Sequence, residues 1–128
     1  MTARWTQEGL DAFVRACAPT ALRFRVPLEA VRNAAQGLPM LTFFVDNQPV
    51  GAAVFTGSET HLSIEPEYHG RWLTPKALRE LRNALVRCPK AKVRTDNAVA
   101  RRFVERFGMR LVSDSNGWAK YELPTRTA

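Results

Sequence analysis

Residues 60 to 76 concentrate the side chains of this chain that can do chemistry. In THLSIEP (60–66) polar and apolar residues alternate, so a strand there sets His61, Ser63 and Glu65 on one face and Leu62 and Ile64 on the other. An imidazole and a carboxylate on one strand face are general-base candidates if their pKa values suit neutral pH. The same alternation equally describes a strand half exposed to water and merely polar. EPEYHGRWLTPK (65–76) then breaks from the strand into a loop that feeds a basic helix. Loops of that kind hold phosphate with main-chain N–H groups at the helix N-terminus, and usually need glycine for close approach. This loop has Gly70 alone and places Trp72 and Thr74 where small residues are expected. Glu67 is a weaker base candidate, solvated in the loop.

Other chemistries are poorly supplied. His61 and His69 are the two histidines, without ligand spacing, so no metal site is expected, and His69 reads as tuning the loop or capping the helix. No serine or cysteine triad suggests itself. Cys17 and Cys88 sit in helical patterns and are too few for a disulfide framework or a thiolate zinc site; they read as buried thiols in a reducing compartment. The 128 residues fit one domain, 1–128, and 45% apolar with 24% charged content is ordinary for a globular protein. No apolar run approaches the roughly 18 to 20 residues that span a bilayer. Glu8 and Asp11 interrupt the N-terminal stretch where a leader would be apolar, so the expectation is a cytoplasmic protein with no membrane partner.

The net charge of +7 is unevenly spread. Residues 71–110 hold twelve of the 19 Lys and Arg but, of 12 acids, only Glu80, Asp96 and Glu105. This points to an anionic partner on one side of the molecule: coenzyme phosphates, nucleic acid or an acidic protein surface. Lys76, Arg79 and Arg82 on one helix also read as a plain solvent-facing surface, while Arg101, Arg102 and Arg106 continue the charge on another. No helix-turn-helix, zinc-finger or ribonucleoprotein pattern is present, which leaves only non-specific polyanion contact on the nucleic-acid side.

The elements that must position these groups follow from periodicity. Leu10, Phe13, Val14 and Cys17 mark an amphipathic helix from residue 6 to about 17, ended by Pro19. A shorter helix starts near Pro27 and runs to about Gln36, where Gly37 stops it. MLTFFV (40–45) and VGAAVF (50–55) form a hairpin about DNQP (46–49), and THLSIEP is a third strand. Thr74 caps the basic helix and Pro75 opens it; Leu78, Leu81 and Leu85 are its buried stripe, and Pro89 ends it. AKVRT (91–95) is a strand. Asp96 or Asn97 caps a helix burying Val99, Ala100, Phe103, Val104 and Phe107, closed by Gly108. MRLVSD (109–114) and WAKYEL (118–123) form a last hairpin about SNG. The order ααβββαβαββ predicts an α/β (α+β) domain with one mixed sheet flanked by about four helices.

Three blocks of the chain resemble the GNAT superfamily of acyl-coenzyme A-dependent N-acyltransferases. FFVDNQPVGAAVF resembles that family's second and third strands; LSIEPEYHGRWLTPKAL its fourth strand, pyrophosphate loop and third helix; VRTDNAVARRFVERFGMRL its fifth strand, fourth helix and following Gly-Phe step. GRWLT also resembles GNAT-like proteins encoded by bacteriophages, which would place the protein in a host cytoplasm. The family's first strand is short or missing, with TARW (2–5) a possible remnant. The resemblance implies acetyl-CoA or another acyl-CoA as co-substrate and no metal. It implies that Leu62, Ser63, Ile64 and Glu65 contact the pantetheine arm, that His69, Gly70, Arg71, Trp72, Leu73 and Thr74 cradle the phosphates, and that Arg71, Lys76 and Arg79 neutralise charge. Asn97 would bond the arm from the other side.

Two departures bear on activity. The family's loop has Arg or Gln, Gly, and Gly or Ala where His69, Trp72 and Thr74 stand, and the indole either turns outward or plugs the loop. Val104 occupies the slot of the tyrosine that many members use as general acid, and Tyr68 and Tyr121, the only tyrosines, lie elsewhere. The expectation is acyl transfer to a small-molecule or protein amine by direct attack, with Glu65 or His61 as base and water or another group as acid. The alternative is a catalytically degenerate GNAT-fold binding or structural module acting through its basic face.

Overall fold

A computed structural model of the chain describes residues 4–124. Helix α1, Gln7–Arg23, begins where the Thr6 hydroxyl accepts the Gly9 N–H, and it buries Leu10, Phe13 and Val14. It does not stop at Pro19 but continues to Arg23. Pro19 and Arg15, whose carbonyl loses its helical partner to the proline ring, are both exposed, so water can replace the missing bond. Helix α2, Leu28–Ala35, follows Pro27, which takes the N-cap position.

Strands β1, Met40–Val45, and β2, Gln48–Thr56, pair across a turn narrower than DNQP. Asp46 and Asn47 carry it alone, with φ of 50° and 63°, the left-handed pair of a two-residue hairpin. Strand β3, Glu59–Ile64, pairs antiparallel with β2. Helix α3, Pro75–Arg87, strand β4, Lys90–Arg94, helix α4, Ala98–Arg106, and the hairpin β5, Arg110–Ser115, with β6, Trp118–Glu122, complete the described chain. The sheet order is β1-β2-β3-β4-β6-β5, and β3–β4 is its parallel pair.

The sheet separates two cores. On one face α1 and α2 pack Leu10, Phe13, Val14 and Ala35 against Met40, Ala52 and Val54. On the other, Ala77, Leu81 and Leu85 of α3 pack on Phe43, Ala53, Phe55 and Ile64. Alternation along β2 sends Ala52 and Val54 one way and Ala53 and Phe55 the other, as a central strand covered on both faces requires.

Some expected details change. In α3, Ala77 is buried and Leu78 only half-buried. In α4 no residue is fully buried; Ala100, Phe103, Val104 and Phe107 are half-buried because they border a cleft, and Val99 faces water. Of TARW, Thr2 and Ala3 lie outside the described residues, and Arg4 and Trp5 form no strand. Arg4 does donate its N–H to the Met40 carbonyl (2.9 Å), one ladder-type bond on the outer edge of β1. No helix among the described residues is long and apolar enough to cross a membrane.

Gly51 allows β2 and β3 their close approach: a Cβ there would lie 2.3 Å from the Ser63 carbonyl oxygen and 2.7 Å from the Ile64 side chain. Gly51→Ala is expected to destabilise the fold by about 1–3 kcal/mol, as overpacking does. Urea unfolding would read this as a lower midpoint at unchanged slope.

A cleft between splayed strands

Strands β3 and β4 pair only at Glu59–Lys90 and Thr60–Ala91 and then part. Thr60, buried, fixes the apex by donating its hydroxyl to the Cys88 carbonyl at 2.9 Å. Beyond it opens a cleft of about 450 Å³, bordered by Phe13, Cys17 and Phe24 on the α1 side and by Leu81, Phe103 and Phe107 on the α3–α4 side. It therefore runs through the sheet from one helical layer to the other.

Register decides which main-chain groups it meets. The Glu65 N–H donates to the Val50 carbonyl, so Glu65, Ser63 and His61 turn their peptide groups toward β2. Those of Leu62 and Ile64 turn the other way, where β4 has already diverged. The His69 ring takes the Ile64 carbonyl at 2.8 Å. The amide and carbonyl of Leu62 are left facing the cleft without a strand partner.

The three polar side chains of β3 share the α1 face as expected, but in different surroundings. His61 lines the cleft, with Nε2 2.9 Å from the Thr56 hydroxyl and 3.3 Å from the Glu59 carboxylate. With its proton on Nε2, facing that carboxylate, the ring keeps Nδ1 as an acceptor. Burial pushes the His61 pKa below its ordinary value, with Glu59 opposing and Lys92 reinforcing, so the imidazole is neutral at pH 7. Ser63 also lines the cleft, beside Cys17, whose thiol burial pushes up while the serine hydroxyl pulls the other way. Glu65 instead pairs with Arg15 at 3.7 Å, and it does not border the cleft. Four residues of strand separate it from His61, roughly 13 Å, so the two bases cannot share one proton.

The loop answers the question its sequence raises. Trp72 points neither at solvent nor into the loop: it is buried in the α3-side core, 4.9 Å edge-on to Phe43 and 5.6 Å from Phe103 between ring centroids. The amides of Gly70, Trp72 and Leu73 have no protein acceptor among the described residues. Those of His69, Arg71 and Thr74 are already spent on Pro66, Tyr68 and Trp72 carbonyls. Thr74 caps α3, its hydroxyl accepting the Ala77 N–H at 3.1 Å. Gly70 has φ of 87° and open space where a Cβ would stand. The loop thus offers a subset of the expected donors.

Several other assigned roles shift. Arg71 reaches Asp46 at 3.3 Å, and Lys76 lies 3.9 Å from Glu80. Asn97 lines the cleft, but its side-chain oxygen caps α4 by accepting the Ala100 N–H, which leaves only its NH₂ for a ligand. Arg101 is not part of a free basic face: it donates to the Tyr121 hydroxyl and the Thr95 carbonyl and pairs with Asp114 at 3.3 Å. Tyr121 in turn donates to Glu105 at 2.9 Å. Val104 lines the cleft and brings no acid to it. Among the described residues no cluster of three His, Cys, Asp or Glu could hold a metal ion. Cys17, Phe24, Arg94 and Trp118 border the cleft and were not among the sequence candidates. For Arg94 the signal was present, since alternation in KVR opposes it to the buried Val93.

Neither a protein-family model nor a curated protein sequence matches the chain. Solved structures do resemble it. The ribosomal-protein-S18-alanine N-acetyltransferase of Escherichia coli superposes with a TM-score of 0.67 at 17% identity, covering 100% of this chain and 95% of that one. The PaiA N-acetyltransferase of Thermoplasma acidophilum, in complex with coenzyme A, gives 0.64 at 14% identity over 98% of each chain. A GNAT-family acetyltransferase of Bacillus cereus gives 0.65 at 9% identity over 98% of each. The chain has the GNAT fold: among the described residues, a mostly antiparallel six-stranded sheet with four α-helices, in the element order its sequence predicts.

With Trp72 in the core, trimming it opens no plugged loop. Trp72→Ala is expected to cost about 3–5 kcal/mol, the loss of a large buried aromatic, and to lower the melting temperature sharply. A variant of unchanged stability would show that the ring is not buried.

Proposed function

We propose that the chain is an N-acyltransferase that moves an acetyl or other acyl group from coenzyme A to an amine by direct attack. The observation that carries this reading is the β3–β4 cleft, a largely apolar passage through the sheet with unpaired Leu62 peptide groups on its wall; outside its lining, the loop before α3 adds the free amides of Gly70, Trp72 and Leu73. An extended amide-bearing arm fits the first, and a pyrophosphate fits the second, where the positive end of the α3 dipole adds to the N–H donors. The resemblance to a fold solved with coenzyme A bound supports the same placement.

The chain's own groups supply the remaining chemistry. The Leu62 N–H, facing a largely apolar cleft, is placed to polarise the thioester carbonyl. His61 Nδ1 takes the proton from the attacking amine, directly or through a water. The nitrogen bonds the carbonyl carbon, the carbon–sulfur bond breaks, and the thiolate leaves with its electron pair and is protonated by water, since Val104 has no proton to give. Cys17 is a poor candidate for a covalent relay, because burial keeps it a thiol.

Acetyl-CoA is expected to raise the melting temperature. At a hundredfold excess over Kd the gain is about 2.7 kcal/mol, several degrees for a chain of this size. No shift at millimolar ligand would end the reading, and a shift without turnover on a panel of amines would favour a binding module. His61→Gln is expected to lower kcat by about 10²-fold or more while preserving the acetyl-CoA shift. Its effect on stability has a definite sign. The folded-state pKa of His61 lies below the unfolded value near 6.5, so the unfolded chain binds the extra proton and stability falls as pH drops through that range. Unfolding midpoints from pH 7.5 to 5 should therefore fall less steeply in His61→Gln than in the parent.

A further inference from the structure

The α1-side mouth of the cleft carries a cation, Arg94, that no acid pairs with among the described residues. Arg94 extends from β4 on the same face as Lys92, opposite the buried Ala91 and Val93. Its guanidinium carbon lies 3.8 Å from the centroid of Phe24, at the end of α1, and 4.1 Å from that of Trp118, its cross-strand partner on β6. Two aromatic rings thus lie against the guanidinium, and a ring face accepts no in-plane N–H bond. Yet Arg94 Nε is buried with no partner, and the group makes no ion pair among the described residues. The acids nearby are engaged elsewhere, Asp96 with Arg23 and Glu59 with His61. Lys92 adds a second positive charge, its Nζ 4.8 Å from the Trp118 ring. Both cations line the cleft.

A positive charge half-buried at the cleft wall with no acid against it is better satisfied when an anion reaches it. A guanidinium with two rings against it still offers a planar fork of N–H donors that matches a carboxylate with two parallel hydrogen bonds. We infer that the amine acceptor carries a carboxylate, received by Arg94 and assisted by Lys92, at the α1-side mouth of the cleft. This rests on the acyl-transfer reading. The loop of residues 69–74 leads into α3, on the other face of the sheet, so the Arg94 site is separate from the phosphate end. Lys92 lies close enough to His61 to help hold its pKa down, and Arg94 is two residues further along β4, roughly 7 Å. Amine and carboxylate are accordingly several bonds apart, not on one carbon.

Two measurements test this. In the first, 5-aminopentanoate and its amide, alike in length and differing in charge, are compared as acceptors with acetyl-CoA. The acid is expected to exceed the amide at least tenfold in kcat/KM. Arg94→Gln should bring the two within about twofold and leave the KM for acetyl-CoA within twofold of the parent. Equal turnover of acid and amide, or a preference that survives Arg94→Gln, overturns the inference. The second measurement needs no turnover: glutarate, a dicarboxylate without an amine, is titrated calorimetrically. Saturable binding that weakens in Arg94→Lys and disappears in Arg94→Gln is expected, and absence of binding to the parent overturns the site. Melting curves show whether each variant is folded, and Arg94→Lys serves if Arg94→Gln is not. Glutarate binding without any acetyl-CoA melting shift would sink the acyl-transfer reading and leave the anion site standing. A shift with no discrimination between acid and amide would do the reverse.

Discussion

The early end of the β3–β4 ladder is the constraint on which the molecule turns. Two parallel pairs, closed by the Thr60 hydroxyl on the Cys88 carbonyl, hold the halves of the sheet together. Past them each strand follows its own partner, β3 with β2 and β4 with β6. Everything functional depends on that parting. It leaves the Leu62 peptide groups without a ladder and opens a passage between two cores that would otherwise be sealed from each other. It also lets side chains of both helical layers line one cavity. A continued ladder would satisfy those peptide groups and abolish the site.

Side chains on both faces keep the parting from collapsing. On the α3 side Trp72, Phe103 and Phe107 stack in succession, with centroids 5.6 and 5.0 Å apart. On the α1 side the wedge is Phe24, Arg94 and Trp118. Aromatic rings thus border the opening on both faces, Phe103 and Phe107 on one and Phe24 and Trp118 on the other, without filling it. Arg101 secures the outer hairpin separately, joining α4 to Tyr121, Asp114 and the Thr95 carbonyl. A residue read as surface charge is thus half-buried and fully engaged in hydrogen bonds and an ion pair.

The order of elements and both faces of β3 were legible in the sequence because they rest on local periodicity and capping. Thr74 caps the helix it was expected to cap, and of Asp96 and Asn97 it is Asn97 that caps α4. Other features depended on neighbours that periodicity does not describe. Pro19 would end an isolated helix, but α1 is held by the sheet beneath it and loses its one bond on the wet side. Val99 fits the apolar stripe of α4, yet that short helix borders a cleft where a full core was expected. His61 and Glu65 look like a matched pair in THLSIEP; only the cleft's position separates one at its wall from one tied to Arg15. The cation at Arg94 was hidden for the same reason, since its two rings come from residues 24 and 118, distant in sequence.

The burial of Trp72 has a further consequence for the way the loop would hold a ligand. Glycine-rich phosphate loops are adaptable, and they lose that freedom when they bind. Here the indole anchors one end of the loop in the core and the His69 ring fastens the other to the Ile64 carbonyl. The ordering entropy is thus surrendered during folding, ahead of any encounter with ligand. Such a loop recognises one shape and adjusts little to another, so a side chain that looked like an obstruction instead exchanges plasticity for preorganisation.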